Sequence, residues 1–388
     1  MKRLYAIDFT RGLVMIIMAL DHTRDFMHVS SLTQNPTDLA TTTPSLFLTR
    51  WITHLCAPVF VFLSGTSAFL SFKKEGDHSK SKTFLLSRGL WLLILEFTLV
   101  NFALWFDLQF RILIFEVIGA IGFGFIVLAL ILKFPPGKIG ITGLIIIFGH
   151  NLLQYISFSD TSSPLGKVAS SFFSLSVFQA NPQFTFVVGY PPLPWLGIML
   201  TGFAAGQLFT WDERKRKMAF LKIGLTVLGL FIIIRLLNFY GDTSAWSIQK
   251  TNLNTFLSFI NVSKYPPSLL FSLVTLGIMF LILSAVEGVN NIFTKNIVIY
   301  GQVPLFYFLI HLYMLHFLML VMVYVQGFSW SALIFGPFNI GRPKNGSGLE
   351  LWLIYLIWLL IVVALYPLCK WYGSYKANHR ENKWLRYV

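Results

Sequence analysis

The chain has 388 residues, of which 55% are hydrophobic and only 12% charged, with a mean hydropathy of +0.69. Soluble proteins carry about 25% charged residues, so this composition excludes an ordinary globular enzyme, a disordered chain and a disulfide-rich secreted scaffold. Thirty Lys and Arg against 16 Asp and Glu give a formal charge of +14. In a membrane protein that excess points to cytoplasmic loops rather than to nucleic acid.

The opening Met1-Lys2-Arg3 and the apolar run behind it superficially match a signal peptide. Asp8 and Arg11 interrupt the run, however, and no small-x-small cleavage site follows. It reads as a retained first membrane helix. A spanning helix needs about 20 mostly apolar residues. Ten such stretches run roughly over 8–27, 50–72, 85–106, 111–132, 139–157, 192–210, 218–238, 266–286, 297–325 and 350–369. Pro304 near the start of the ninth either kinks it or leaves its first turn outside. The expected fold is therefore all-α, one polytopic domain over 1–388.

Ten spans sort the cations by side. Eighteen fall in one set of loops and the C-terminal tail: Lys2 and Arg3, Lys73 to Lys82, Lys133 and Lys138, Arg214 to Lys217, Lys295, and Lys370 to Arg386. Five fall in the other set: Lys167, Lys250, Lys264, Arg342 and Lys344. The positive-inside rule then puts both termini in the cytoplasm. The outer loops, about 28–48, 158–190, 239–265 and 326–349, are long and polar. No soluble domain, repeat or low-complexity tract is visible. Cys56 and Cys369 lie in apolar runs far apart and read as buried thiols.

Ionisable groups inside spans are costly and mark function. The densest set is in the first span, from Asp8 and Arg11 to Asp21, His22, Arg24 and Asp25. The eleven-residue step from Arg11 to His22 returns to within about 20° on a helix and climbs about 16 Å. Asp8, Met15, Met18 and Asp25 fall on the same stripe. Such a face suits a ligand lying along the helix; i,i+3 pairing of Asp8 with Arg11 and of His22 with Asp25 is the plainer alternative. His22 has the chemistry that acyl transfer demands, taking a proton from a nucleophile and returning one to a leaving group. Asp21 or Asp25 would fix its tautomer. His54 is a second imidazole near the outer end of the second span. Glu96 is deep in the third and needs a partner, for which Arg235 is available. His311 and His316 are five residues apart, about 140° around a helix, so they cannot share one metal. His311 is the one expected to face the cavity of His22. No metal site is expected.

Several stretches are similar to a known family. Asp8-Phe-Thr-Arg11-Gly12 … Met18-Ala-Leu-Asp21-His22, Trp51–Gly65, Arg88–Glu96, Tyr190-Pro-Pro-Leu-Pro-Trp-Leu-Gly197, Lys264-Tyr-Pro-Pro-Ser268 and Gly301-Gln-Val-Pro-Leu-Phe-Tyr307 … His311 together resemble bacterial relatives of the heparan-α-glucosaminide N-acetyltransferase catalytic domain. The resemblance covers essentially the whole chain. The Arg11-x10-His22 spacing is similar to the hallmark of acyltransferase family 3. The resemblance implies a ten-helix core with a pore, in which acyl-CoA enters from the cytoplasm and its thioester reaches the motif His. Arg11, with Asp8, would then serve the donor, and a saccharide acceptor would approach from outside. One departure matters: the lysosomal heparan enzyme lacks His at the position of His22, and its essential His lies slightly later, where His28 is the loose equivalent. The expectation is an inner-membrane acetyltransferase that uses acetyl-CoA and no prosthetic group. His22 is its base, with His54, His311 and Glu96 in support. N- versus O-acetylation and oligomeric state, a homodimer included, stay open. A transporter lining its path with the same residues is the alternative.

Overall fold

A computed structural model describes residues 4–155, 163–181, 183–379 and 381–387. Lys2, Arg3 and Arg380, and part of the outer loop expected over 158–190, lie outside them. The chain is mostly helical: α1 (Tyr5–Met27), α2 (Pro44–Thr53), α3 (Cys56–Glu75), α4 (His78–Leu95), α5 (Asn101–Trp105), α6 (Val117–Ile131), α7 (Pro136–Gly149), α8 (Pro164–Ser171), α9 (Pro192–Ala205), α10 (Glu213–Leu237), α11 (Asn252–Ile260), α12 (Leu269–Val286), α13 (Ile292–Gln302), α14 (Pro304–Val325) and α15 (Leu351–Asn378). Among the described residues, eight helical segments are long and apolar enough to cross a membrane. The protein is thus a multi-pass membrane protein. The two other stretches expected to span coincide with α1, which is long enough but more charged, and with the 15-residue apolar α6.

Local chemistry sets the helix starts. Asp77, Asp212, Thr251, Ser268 and Asn291 each accept a hydrogen bond from a backbone N–H of the first turn, satisfying donors that a helix leaves unpaired. Proline opens α2, α7, α9 and α14, where its missing N–H costs nothing.

Several expected spans are interrupted. The ninth divides at Val303 into α13 and α14, because the Pro304 ring cannot continue the preceding helix. The second divides at His54-Leu55, just ahead of Pro58. The third passes through a π-helical turn, Glu96–Val100, before α5. The fourth starts as a strand, β1 (Ile112–Phe115), rather than as helix. The all-α class holds, with short strands added to it. With β2 (Ser176–Asn181) and β3 (Phe184–Val188), β1 makes a three-stranded sheet in the order β1-β3-β2, with β1 parallel to β3 from Ile112↔Thr185 to Phe115↔Val188. A short hairpin joins β4 (Phe335–Gly336) to β5 (Asn339–Ile340).

α1 is the central helix and packs against α2, α3, α12, α13, α14 and α15. Its contact with α13 is backbone to backbone. A Cβ on Gly12 would lie 2.0 Å from the Ile297 carbonyl oxygen, and one on Gly301 would lie 1.8 Å from that of Asp8. The Gly202-x-x-x-Gly206 pair likewise lets α9 meet Phe62 and Phe69 of α3, the packing use of small residues expected between membrane helices.

Candidate active site

The polar stripe of α1 has two ends, joined by buried Met15 and Met18. At one end the Arg11 guanidinium donates from Nη2 to the Leu63 carbonyl (2.9 Å) and to Ser67 Oγ (2.5 Å) on α3. Beside it is a cavity of about 320 Å³ lined by Leu4, Ile7, Asp8, Arg11, Ser67 and Lys74 among others. A separate cavity of about 490 Å³ includes Arg216, whose guanidinium is held by Glu287 in a buried ion pair. Lys215 lies over the Trp211 ring at 4.6 Å, while Arg214 and Lys217 remain exposed.

At the other end His22 meets His311 of α14. His22 Nδ1 and His311 Nε2 are 2.7 Å apart, and the two rings are within 9° of parallel. His311 is fully buried and its Nδ1 donates to the Tyr307 carbonyl at 2.9 Å. His22 is only partly buried. Of the two imidazoles on α14, it is thus His311 that faces His22. His316 turns away to the Ala103 carbonyl (2.9 Å) and stacks on Phe106 at 3.6 Å.

The acids of α1 do not hold His22. Asp21 accepts from Arg24 (2.8 Å) and from Arg50 of α2, and Asp25 accepts from Arg24 (2.7 Å). The expectation that Asp21 or Asp25 orients His22 is corrected accordingly: both carboxylates are engaged by arginines, and the Nδ1 of His22 is spent on His311. Arg24 was part of the ionisable set of the first span but was not read as the partner of these acids, and Arg50 was not anticipated. The charge count of the motif, two acids within five residues on a buried helix, is the signal that demanded them.

His54 is buried against Phe271, ring centroids 5.5 Å apart. No hydrogen bond among the described residues joins it to His22. His28 lies just past α1. Its Nδ1 is 3.0 Å from Ser30 Oγ, and its carbonyl accepts from the buried Arg342 at 2.9 Å. Burial, with Arg24 beside it, holds the His28 imidazole below its ordinary pKa. Glu96 is fully buried and accepts from the Glu116 N–H at 2.5 Å, at the N-terminus of α6. It is not paired with Arg235, which instead donates to the carbonyls of Ser244, Ser258, Phe259 and Asn261 around the C-terminus of α11. Each side chain answers a helix end of opposite sign, which removes the need for the expected pair. Asn101, not anticipated, ties the π-turn to β1, donating to the carbonyls of Glu96 (2.6 Å) and Ile114 (2.9 Å).

The loops before α9 and α12 carry further charged and aromatic groups. Lys264 is buried, with its ammonium 5.1 Å from the Tyr265 ring centre. Lys264 and Arg50 both act electrostatically on His22 and on Glu116. Tyr190 stacks on Trp195 at 4.8 Å and meets Tyr265 edge-on at 5.6 Å. Aromatic faces beside hydrogen-bonding side chains suit a polar ligand with apolar faces. No group of three or more metal-binding side chains occurs among the described residues.

The sequence model of the heparan-alpha-glucosaminide N-acetyltransferase catalytic family matches residues 3–246. The chain belongs to that family. The match spans most of the chain and includes Arg11, His22, Arg50, His54 and Glu96, but ends before Lys264 and His311. A search of curated proteins finds no match. Membership makes the chain a membrane protein of an acetyltransferase family, and the imidazole pair joins its central helix to α14.

Proposed function

We propose that the protein moves an acetyl group from cytoplasmic acetyl-CoA to an amino-sugar nitrogen or a sugar hydroxyl on the outer face of the cytoplasmic membrane. In this reading the chain crosses ten times, with both termini inside. The observation that carries it is His22: an imidazole on the central helix, one nitrogen bonded to His311 and Nε2 bonded to no described residue, in a chain of an acetyltransferase family. Arg11 lies about 16 Å away along the same helix, where its guanidinium and Lys74 beside the cavity supply positive charge for the phosphates of CoA. The unbranched side chains of Met15 and Met18 line the stretch between, and their flexibility lets a thin acyl arm pass. His22 takes the acceptor's proton as its nitrogen or oxygen attacks the thioester carbonyl, and gives a proton to the leaving thiolate. Lys264, Tyr190 and Tyr265 line the acceptor side.

The test uses the purified full chain in nanodiscs with radiolabelled acetyl-CoA and a panel of amino sugars and neutral sugars. Transfer or acetyl-CoA hydrolysis is expected, and His22→Ala abolishes it. Absence of acetyl-CoA binding by calorimetry, with the protein folded, removes the reading and favours a transporter.

A further inference from the structure

The contact between His22 and His311 fixes the position of protons as well as rings. A backbone carbonyl only accepts, so the proton between His311 Nδ1 and the Tyr307 carbonyl, 2.9 Å apart, belongs to His311. A neutral imidazole carries a single N–H, which leaves His311 Nε2 with its lone pair. That nitrogen faces His22 Nδ1 at 2.7 Å, so the proton between them belongs to His22. His22 therefore has its own lone pair on Nε2. In free histidine the opposite tautomer, with the proton on Nε2, is the favoured one.

We propose that His311 is the positioning residue of the site: it imposes the Nδ1–H tautomer on His22 and takes up the His22 proton during transfer. This inference rests on the acetyl-transfer reading for its chemistry, but not for its tautomer. It places a neutral histidine where hydrolytic triads place a carboxylate. The surroundings explain the choice. His311 is fully buried, and its ring lies nearly parallel to that of Tyr307 at 5.2 Å, with Phe308 edge-on at 5.8 Å. A carboxylate there would be a buried charge with no cation of its own. Imidazole is satisfied in both protonation states. When neutral it accepts from His22 and donates to Tyr307. When protonated it donates at both nitrogens, to His22 Nδ1 and to the Tyr307 carbonyl, over an aromatic neighbour that favours a cation. The charges that act on His22 are Asp21 and Asp25 on its own helix, Arg50 on α2 and Lys264 from the loop before α12. Asp21 and Asp25 are already bonded to arginines.

The step balances. The acceptor's lone pair forms the new bond to the thioester carbon as its proton passes to His22 Nε2. The His22 Nδ1 proton shifts to His311 Nε2, which becomes the imidazolium. When the tetrahedral intermediate collapses, the C–S bond breaks with its electron pair on sulfur. His311 returns its proton to His22 Nδ1, and His22 releases the Nε2 proton to the thiolate. The Tyr307 carbonyl cannot take a proton, so the pair stores one proton and passes none onward.

The experiment is nitrogen-15 NMR of the full chain in nanodiscs, labelled at histidine and free of substrate, with His22→Gln used to assign the His22 signals. The expected spectrum shows His22 protonated at Nδ1, with a coupling across the hydrogen bond to His311 Nε2. His311→Gln offers a carbonyl oxygen as acceptor. It preserves the His22 tautomer but cannot store the proton, so kcat falls with KM little changed and the acidic limb of the pH profile, which reports the base, moves. His311→Leu releases His22 to the Nε2–H form and lowers kcat by about 10²–10⁴, the scale of a wrong-tautomer histidine in a triad. A His22 signal showing Nε2–H in the unsubstituted protein, or unchanged in a folded His311→Leu, overturns the proposal. If the tautomer is as expected but no acetyl transfer occurs, the pair stands and the acetyltransferase reading falls.

Discussion

Replacing Gly301 by alanine tests the packing that places the site. Gly301 lies on α13, where an added Cβ would come within 1.8 Å of the Asp8 carbonyl oxygen and 2.8 Å of the Gly12 nitrogen. Both neighbours are backbone, so no side chain can rotate away. Reaching the 3.0 Å below which Cβ contacts essentially do not occur requires α1 and α13 to part by at least about 1.2 Å. Overpacking of this kind costs about 1–3 kcal/mol, and the upper end applies because backbone has to move. The displacement also falls on the turn that carries Arg11 and Asp8. A misplacement of about 1 Å in a positioning element can cost about 10²-fold in rate. The assay is thermal unfolding of the purified protein in detergent, alongside acetyl transfer. The control is Gly229→Ala on α10, where nothing lies within 4 Å of the added Cβ and the better helix former gains up to about 1 kcal/mol. If Gly301→Ala proves as stable and as active as Gly229→Ala, the close crossing of α1 and α13 is wrong, and with it the placement of the stripe.

Three further outcomes follow from side chains around the site. Asp21→Asn leaves Arg50 buried without its carboxylate and should lower stability by about 3–5 kcal/mol; replacing Asp21 and Arg50 together by leucine and methionine should recover much of it, and equal losses in both variants would deny the pair. His28→Ala should keep acetyl transfer within a few-fold, because its ring is bonded to Ser30 and not to the site; loss of activity in a folded His28→Ala, with His22→Ala active, would reverse the assignment. Asp107, in the loop after α5, feels burial, which raises its pKa, but the hydrogen bonds from Arg111 outweigh it and the net shift is downward. A lowered carboxylate pKa contributes stability that is full above the ordinary value of 3.8 and fades as pH drops through the folded value. The stability gap between the native chain and Asp107→Asn should therefore close on acidification, and a pH-independent gap in thermal unfolding would contradict the assignment.

What could be read from the sequence is what depends on one helix at a time. The 100° step brings Arg11 and His22 to one face whatever surrounds them, and the divergence of His311 from His316 follows from the same geometry. The break at Pro304 is equally local. What escaped depends on partners distant in sequence or on short apolar runs. Ile112 to Phe115 is four apolar residues in front of an apolar helix, and hydrophobic pattern alone cannot separate such a run from helix; its pairing with β3, more than 70 residues later, decides it. Glu96 and Arg235 look like a pair because both are charges in apolar spans. Each is instead answered by a helix terminus, and termini are invisible until the α6 and α11 boundaries are known.

The same distinction explains why the acids of α1 misled as partners of His22. Within a helix, Asp21 and Asp25 are the nearest carboxylates, so an argument confined to α1 selects them. In the folded chain, Arg50 arrives from α2 and Arg24 lies between the two acids. Two carboxylates and two guanidiniums then form a neutral, closed network. Taking Asp21 from its arginines to serve His22 would strand a buried charge, which costs several kcal/mol. In its resting state the imidazole pair carries no such penalty, since both rings are neutral and His311 is hydrogen-bonded at both nitrogens. A site that must gain and lose one proton per turnover inside a bilayer is better served by a partner that is satisfied in both states than by a carboxylate. On the proposed mechanism, the neutrality of His311 is part of the chemistry, and the ion network of α1 has the separate task of holding His22 still.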